Sequence, residues 1–224
     1  KIQKEIIKKV KEDHFFKVNN IEDINNIFQK KLIESLDPSK VYFTKLEFEQ
    51  YGNNLNDESF DLNNSFRILN EYFNRLIEAT SYQIEILKDF NFDFSKSEYI
   101  DIYSDDNEWK SSFAELRKEW FLLAKNDLLN EILDEDLSNK TDSRQTIIDR
   151  YERRIRRITQ RTNEDYFSII MNNFTSQFDP HSAYLSPKSA EDFDMQMSLS
   201  LEGIGALLGI EDDYAKVVSL VPGG

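Results

Sequence analysis

Glycine is distributed very unevenly along this chain of 224 residues. Five of the six glycines lie in the last 22 residues, whereas the stretch before them is almost free of glycine and proline. Both residue types interrupt regular structure, so their scarcity favours long helices and the glycine-rich end favours tight turns. We therefore expect two structural regions, with a change near residue 200.

Apolar side chains before that change recur at steps of three and four residues, which is the period of one helix face. In the first stretch they are Phe66, Leu69, Phe73, Leu76, Ile77, Thr80, Ile84 and Leu87; in the second they are Trp109, Phe113, Leu116, Trp120 and Leu123. We predict one long helix over residues 59–90 and another from an N-cap at Ser104 to residue 137, with shorter helices on either side.

After residue 198 the spacing of apolar residues becomes typical of strands. The strand-like positions are Leu199, Leu201, Ile204, Ala206, Leu208 and Ile210, followed by the run KVVSLV at residues 216–221. Two or three strands in so short a stretch cannot bury a core alone. We predict a mainly α chain with a multi-helix domain over residues 1–195 and the incomplete beginning of a β-containing domain over residues 196–224.

One ten-residue pattern occurs twice, as LDPSKVYFTK at residues 36–45 and as FDPHSAYLSP at residues 178–187. Proline disfavours helical backbone in the residue before it, so we expect Asp37 and Asp179 to end the helices over residues 21–35 and 162–177. A capping box at Thr44 and a Ser186–Pro187 N-cap then start the next helices. The pattern predicts two helix-corner-helix units, with aromatic or apolar residues 42–43 and 184–185 filling the corners.

A catalytic use of Asp179 and His181 is the alternative interpretation of the second copy. His181 has no counterpart in the first copy, where Ser39 occupies the matching position. This mismatch favours the structural interpretation.

The formal net charge of −14 argues against a general nucleic-acid binder. Seven arginines nevertheless crowd one predicted amphipathic helix: Arg144, Arg150, Arg153, Arg154, Arg156, Arg157 and Arg161. They could bind an acidic partner, a membrane surface or RNA, but in an acidic chain we expect them to pair with the protein's own carboxylates.

Nothing in the sequence points to a cofactor or a metal. The chain has no cysteine, which excludes disulfides, thiolate zinc sites and a cysteine nucleophile. The acidic pairs and triplets at residues 105–106 and 134–136 are interpreted as charge at helix ends, and His14 has no second histidine near it. No apolar run is long enough to cross a bilayer.

The stretch over residues 178–224 resembles the junction between the helical N-terminal domain and the PDZ domain of bacterial carboxyl-terminal processing proteases, also called tail-specific proteases. The resemblance rests on FDPHSAYLSP, then SLSLEGIGA, an acidic turn and VVSLVPGG in that order, and on the earlier copy LDPSKVYF. It implies a serine endopeptidase of the bacterial periplasm or cell envelope whose PDZ domain captures substrate C-termini. It also implies a catalytic serine/lysine dyad beyond Gly224, so this fragment is expected to be inactive alone.

The segment SLEGIGA is a candidate loop for binding a peptide carboxylate. A PDZ-type loop directs successive backbone N–H groups at the carboxylate, beside a strand edge that pairs with the peptide. Gly203 and Gly205 would permit that close approach, and Leu201 and Ile204 would form an apolar pocket for the terminal side chain. From spacing alone a plain β-turn is favoured, and the resemblance reverses that preference.

Two classes of function remain open. The first is a tail-specific protease acting on proteins with apolar C-termini, with an adaptor protein as a further partner. The alternative is a non-catalytic helical adaptor that carries a PDZ module. A serine and a lysine at the family's spacing after the PDZ segment would distinguish the two.

Overall fold

The computed structural model describes residues 2–13, 21–53, 61–100, 107–134, 142–198, 205–211 and 214–220. Over these ranges the helices are α1 (Ile2–Asp13), α2 (Ile21–Leu36), α3 (Lys45–Gly52), α4 (Leu62–Asp89), α5 (Phe113–Asp134), α6 (Ser143–Thr159), α7 (Asn163–Thr175) and α8 (Pro187–Met197). Two strands follow, β1 (Ala206–Glu211) and β2 (Tyr214–Leu220). The predicted class, mainly α with a short β-containing end, is confirmed.

The chain divides into two compact units, Lys1–Tyr184 and Leu185–Gly224. The first contains α1 to α7, and the second contains α8 and the two strands. The domain boundary predicted at residue 195 stays a prediction. None of the helices in the described ranges is both long enough and apolar enough to cross a membrane.

Helix α4 is the common wall of three packed clusters in the first unit. It begins after Asp61, whose side chain accepts a hydrogen bond from the amide of Asn64 at 3.0 Å. Its 28 residues span about 42 Å at 1.5 Å per residue, so one helix can contact several partners along its length. The helix predicted over residues 59–90 is thus confirmed, with a start three residues later.

The largest cluster joins α2, α4, α6 and α7 with a residue of the first corner. Its buried members are Phe28, Leu32, Ile33, Phe43, Ile68, Leu69, Phe73, Ile158, Ile170, Met171 and Phe174. A second cluster joins the end of α4 to α5 and α6 through Leu87, Ala124, Leu128, Ile147, Ile148 and Tyr151. The third joins α4 to α5 through Ala79, Leu116 and Trp120.

The start predicted for the second long helix is wrong. Ser104 lies outside the described residues, and residues 107–112 are not helical, so α5 begins only at Phe113. Trp109, which has the right spacing for the helix face, instead stacks on Phe48 of α3 with ring centroids 4.6 Å apart. The apolar spacing predicted a helix at Trp109 because a helix would bury its indole. Stacking on Phe48 covers the indole without a helix.

The first corner is organised by the buried carboxylate of Asp37, directly after the end of α2. Its two oxygens accept hydrogen bonds from the backbone amides of Val41, Tyr42 and Phe43, at 2.9, 2.8 and 3.0 Å. Lys40 turns the chain toward the carboxylate with a φ of 55°, a left-handed conformation that costs roughly 1–2 kcal/mol in a non-glycine residue. The three amide hydrogen bonds offset that cost. The prediction that Asp37 ends α2 is confirmed, as is the capping box at Thr44.

Other helices attach to the backbone of this corner. The indole of Trp120 in α5 donates to the carbonyl of Val41 at 2.7 Å, and Arg75 in α4 donates to the carbonyl of Tyr42 at 3.3 Å. The amide of Lys45 donates to the carbonyl of Lys110 at 2.8 Å. A single corner therefore positions α2, α3, α4 and the segment that leads into α5.

The second copy of the pattern folds differently, which corrects two predictions. Helix α7 ends at Thr175, four residues before Asp179. The turns that follow have hydrogen bonds between residues three apart, and Phe178 lies edge-on against Phe174 with ring centroids 5.0 Å apart. Leu185 is 45% exposed and does not fill the corner.

A side chain of α7 takes over part of the role of the aspartate in this second corner. The amide of Tyr184 donates to the side-chain carbonyl of Asn172 at 2.8 Å. Asp179 accepts instead from the hydroxyl of Ser182 at 3.3 Å.

The two aspartates therefore give a matched pair of tests. We expect Asp37→Asn to lower the free energy of unfolding by about 1–3 kcal/mol, because an amide group must point its NH2 at one of three buried N–H donors. Asp179→Asn should change it by less than about 0.5 kcal/mol, as expected for a side chain without such a network. Urea unfolding of both variants measures the difference, and equal losses would contradict the central role of Asp37.

Six tyrosines among the described residues of the first unit carry raised pKa values, and the largest shifts are those of Tyr42, Tyr72 and Tyr151. Burial raises the pKa of Tyr42 to about 12 and also raises the pKa values of Tyr72 and Tyr151. The rings of Tyr42 and Tyr72 meet edge to face, 5.6 Å apart. The Tyr151 hydroxyl donates to Asp127 at 2.7 Å, which further disfavours the phenolate.

These shifts predict a loss of stability at alkaline pH. Since the pKa of Tyr42 is higher in the folded chain, its contribution is fully present below the unfolded pKa of about 10 and is lost as pH rises towards about 12. We expect the melting temperature of the Tyr42→Phe variant to fall less steeply than that of the wild type across this window. If the melting temperatures of the two proteins differ by the same amount at every pH, the pKa of Tyr42 is not raised by folding.

Candidate functional site

The candidate carboxylate-binding loop is described by the structure only at its last residue. Leu201, Gly203 and Ile204 lie outside the described residues. Gly205 has a φ of 66° and directly precedes Ala206, the first residue of β1. That conformation is open to glycine at little cost, so the chain enters the strand through a turn that requires glycine at position 205.

Strands β1 and β2 form an antiparallel hairpin with a defined register. Ala206 lies opposite Leu220, and the register shifts once, between Leu207 and Leu208. The shift adds a residue on β2 and increases the local twist of the hairpin. The hairpin is the part of the predicted strand pattern that the structure confirms, while Leu199 and the predicted turn at residues 212–213 lie outside the described ranges.

The hairpin keeps one edge of β1 free for pairing. The sheet has two strands, so among the described residues β1 is hydrogen-bonded along one side only. Unpaired N–H and C=O groups along such an edge can pair with an extended peptide that adds itself as a further strand. Because β1 starts directly after Gly205, a peptide on this edge would have one end at the glycine turn.

The two strands expose more apolar surface than a finished domain would leave in water. Leu207 and Leu208 are 57% and 49% exposed, and every residue of β2 is exposed. An isolated two-stranded hairpin is at best marginally stable, since neither face is covered. The observation agrees with a strand pair that belongs to a larger β-containing domain.

Helix α8 begins as predicted, with Ser186 as N-cap and Pro187 in the first turn. The Ser186 hydroxyl accepts a hydrogen bond from the amide of Ser189 at 3.2 Å. No residue of α8 is buried, and its apolar side chains Phe193, Met195 and Met197 are about half or more exposed. Like the strands, this helix has an apolar surface without a covering partner in the described part of its unit.

The contacts around Asp179 favour the structural interpretation of the second corner. Ser182 donates to the Asp179 carboxylate through its hydroxyl and to the Asp179 carbonyl through its amide, at 3.3 and 3.0 Å. Both bonds close a tight turn. The side chain of His181 is exposed to solvent at the tip of that turn.

Two arginines of the basic helix make defined polar contacts with other parts of the described chain. Arg150 forms an ion pair with Glu131. Arg144 instead donates to the carbonyls of Leu87 and Phe90, at 2.7 and 2.9 Å, and so fixes the end of α4. The expectation that the arginines of α6 pair generally with the protein's own carboxylates stays a prediction, with the Arg150–Glu131 pair in agreement with it.

The apolar side of α6 packs inward, as expected for an amphipathic helix, although Ile155 on this side is only half-buried. Ile147, Ile148, Tyr151 and Ile158 face the interior. Within the described ranges there is no cluster of three or more acidic or histidine side chains that could hold a metal ion. His14 and residues 105–106 and 135–136 lie outside those ranges.

Comparison with known proteins agrees with this organisation. Residues 6–188 match the family model described as the tail-specific protease N-terminal domain. A tail-specific protease of Haemophilus influenzae is 31% identical to this chain over 218 residues. The match covers 95% of this chain and 31% of the length of that relative. The chain thus spans about a third of the curated relative it matches.

The positive φ of Gly205 yields a test of the turn before β1. Gly205→Ala should destabilise the hairpin by about 1–2 kcal/mol, the cost of a left-handed conformation in alanine. Backbone amides of β1 should then exchange with solvent about 5- to 30-fold faster, while those of α4 should be unaffected. Gly205→Asn is the matched control, because asparagine adopts this conformation more readily and should show a smaller effect. Equal effects of alanine and asparagine would exclude φ as the cause.

Proposed function

Because this chain belongs to the tail-specific protease family, whose N-terminal domain it carries over residues 6–188, we propose that it forms the N-terminal portion of a bacterial serine endopeptidase. The full protein recognises proteins by their C-terminal ends and then degrades or trims them. In this proposal the helical unit is a scaffold, and the hairpin is the start of a PDZ domain that captures peptides.

The observation that carries the proposal is the open edge of β1 directly after the Gly205 turn. A peptide that adds to this edge would place its C-terminal carboxylate beside Gly203, Ile204 and Gly205. The small residues allow the backbone to approach the ligand, and successive N–H groups of such a turn form a concave site for an anion. Leu201 and Ile204 supply the apolar surface for the last side chain.

Selectivity for a chain end follows from this chemistry. A free carboxylate accepts charge-assisted hydrogen bonds that an internal peptide group or a C-terminal amide cannot accept equally well. The strand edge adds backbone hydrogen bonds that depend little on sequence. Substrates would therefore share an apolar C-terminal residue and an extended tail rather than a long sequence motif.

Cleavage is assigned to residues outside this chain. A serine/lysine dyad of a later domain would hydrolyse the captured protein, and residues 1–224 alone should not cleave it. We place the protein in the bacterial periplasm or cell envelope, with an adaptor protein as a further partner of the helical unit. The non-catalytic adaptor class is less well supported, because the relative that matches almost the whole chain is a protease.

The test compares one peptide with a free C-terminus and the same peptide with an amidated C-terminus, bound to the full-length protein. Amidation should weaken binding by about tenfold or more, since each charge-assisted hydrogen bond contributes roughly 1.5–3 kcal/mol. Gly203→Val should reduce the affinity for the free acid by a similar factor, because its side chain occupies the space where backbone and ligand meet. Isothermal titration calorimetry measures all four pairings.

Ala215→Val is the matched control for that variant. It adds a valine side chain to an exposed position of β2, the strand on the far side of β1 from the open edge. Binding of the free-acid peptide should be unchanged in this control. If both variants and both peptides bind with equal affinity, Gly203 and Gly205 are ordinary turn residues and the proposal is wrong.

A further inference from the structure

A groove in the first unit is lined by three arginines that form no ion pair with the carboxylates of the described residues. It lies between α2, α4, α6 and α7 and has a volume of about 540 Å³. Its wall includes Arg154 and Arg157 of α6 and Arg161 just beyond that helix. The volume is in the range of pockets that bind ligands, roughly 300–1,000 Å³.

Two of these three guanidinium groups stack on aromatic rings. Arg161 lies over the ring of Phe73 at 4.8 Å, and Arg154 lies over the ring of Tyr151 at 5.1 Å. In the part of the chain that the structure describes, neither they nor Arg157 form an ion pair with aspartate or glutamate, and none of the groove residues is acidic. Stacking holds the guanidinium groups of Arg154 and Arg161 in place and leaves their charge available to a ligand.

Two carboxylates on adjacent parts of α5 and α7 are already committed to other bonds. Asp127 accepts the hydroxyl of Tyr151 at 2.7 Å. Asp165 accepts the amide and the hydroxyl of Thr162, at 2.7 and 2.8 Å, as part of the cap of α7. In a chain with a net charge of −14, the charged residues that line this groove are all arginines. The hydrogen bonds of Asp127 and Asp165 engage those two carboxylates elsewhere.

The floor of the groove is apolar. Phe73 and Ile158 are buried beneath it, and Tyr72, Leu76 and Ile169 are half-buried along it. A ligand that satisfies both wall and floor must combine negative charge with apolar side chains. Acidic residues alternating with apolar residues in an extended polypeptide have this combination.

We propose that this groove binds an acidic segment of an extended polypeptide, with its carboxylates on Arg154, Arg157 and Arg161 and an apolar side chain on the floor. An anionic membrane suits the site less well, because the arginines surround a concave groove and the molecule as a whole is strongly negative. Nucleic acid is disfavoured by the same overall charge. The site lies in the helical unit, so it is separate from the carboxylate loop and does not depend on it.

The experiment uses this 224-residue chain and a fluorescent peptide of alternating glutamate and leucine, acetylated and amidated at its ends. The amidated end prevents a contribution from the carboxylate loop, so failure here is distinct from failure of the proposed function. Fluorescence anisotropy should show saturable binding that weakens as salt is added. The same peptide with glutamine in place of glutamate should bind at least about tenfold more weakly.

Arg157→Glu and Arg156→Glu form a matched pair of variants. Both change the net charge equally, but the two residues are about 100° apart on α6 and only Arg157 lines the groove. Arg157→Glu should weaken peptide binding by about tenfold or more, whereas Arg156→Glu should change it by no more than about twofold. Circular dichroism and melting temperature establish that both variants fold.

Four outcomes would overturn the proposal. If the two variants weaken peptide binding equally, the effect is one of overall charge. If inorganic phosphate displaces the peptide at equal ionic strength, the groove is a site for small anions. Stronger binding to phosphatidylglycerol vesicles than to the peptide would identify a membrane contact. If the peptide does not bind and Arg157→Glu alone lowers the melting temperature, acidic residues of this chain occupy the groove.

Discussion

The carboxylate of Asp37 is the interaction on which the arrangement of the helical unit depends. It gathers three consecutive backbone amides into one corner and so fixes the direction in which α3 leaves α2. The carbonyls of Val41 and Tyr42, held outward by the same corner, then accept side chains from α5 and α4. Burial raises the pKa of Asp37, and the amide bonds oppose that shift. Burying the carboxylate costs free energy, and the hydrogen bonds of the corner, which join four elements, offset that cost.

From this corner the rest of the unit is organised along α4. That helix contributes to all three clusters, and its far end is held by Arg144 of the basic helix. Some arginines of α6 thus act in the fold, through carbonyls or an ion pair, whereas those near α7 border an open groove. One amphipathic helix can serve both purposes because its successive turns face different neighbours.

The second unit differs from the first in what it leaves exposed. Its helix buries no side chain and every residue of β2 is exposed, whereas the first unit encloses buried apolar clusters. Exposed edges and apolar strand faces are features of peptide-binding sheets and of domains that are completed by further chain.

The sequence alone was sufficient for the two regions, for the long helix α4, for the caps at Thr44 and Ser186, and for the end of α2 at Asp37. These features depend on local backbone preferences, which short stretches of sequence encode directly. It also indicated the family. Only the tertiary structure decided that Trp109 leaves the helical pattern to stack on Phe48, and that two similar ten-residue patterns form different corners. Asn172 accepts from the amide of Tyr184 because α7 lies beside the second corner. Similar local preferences therefore lead to different corners when different side chains lie nearby. The arginines of α6 illustrate the same limit, since spacing revealed a basic helix but not which of its guanidinium groups line the groove.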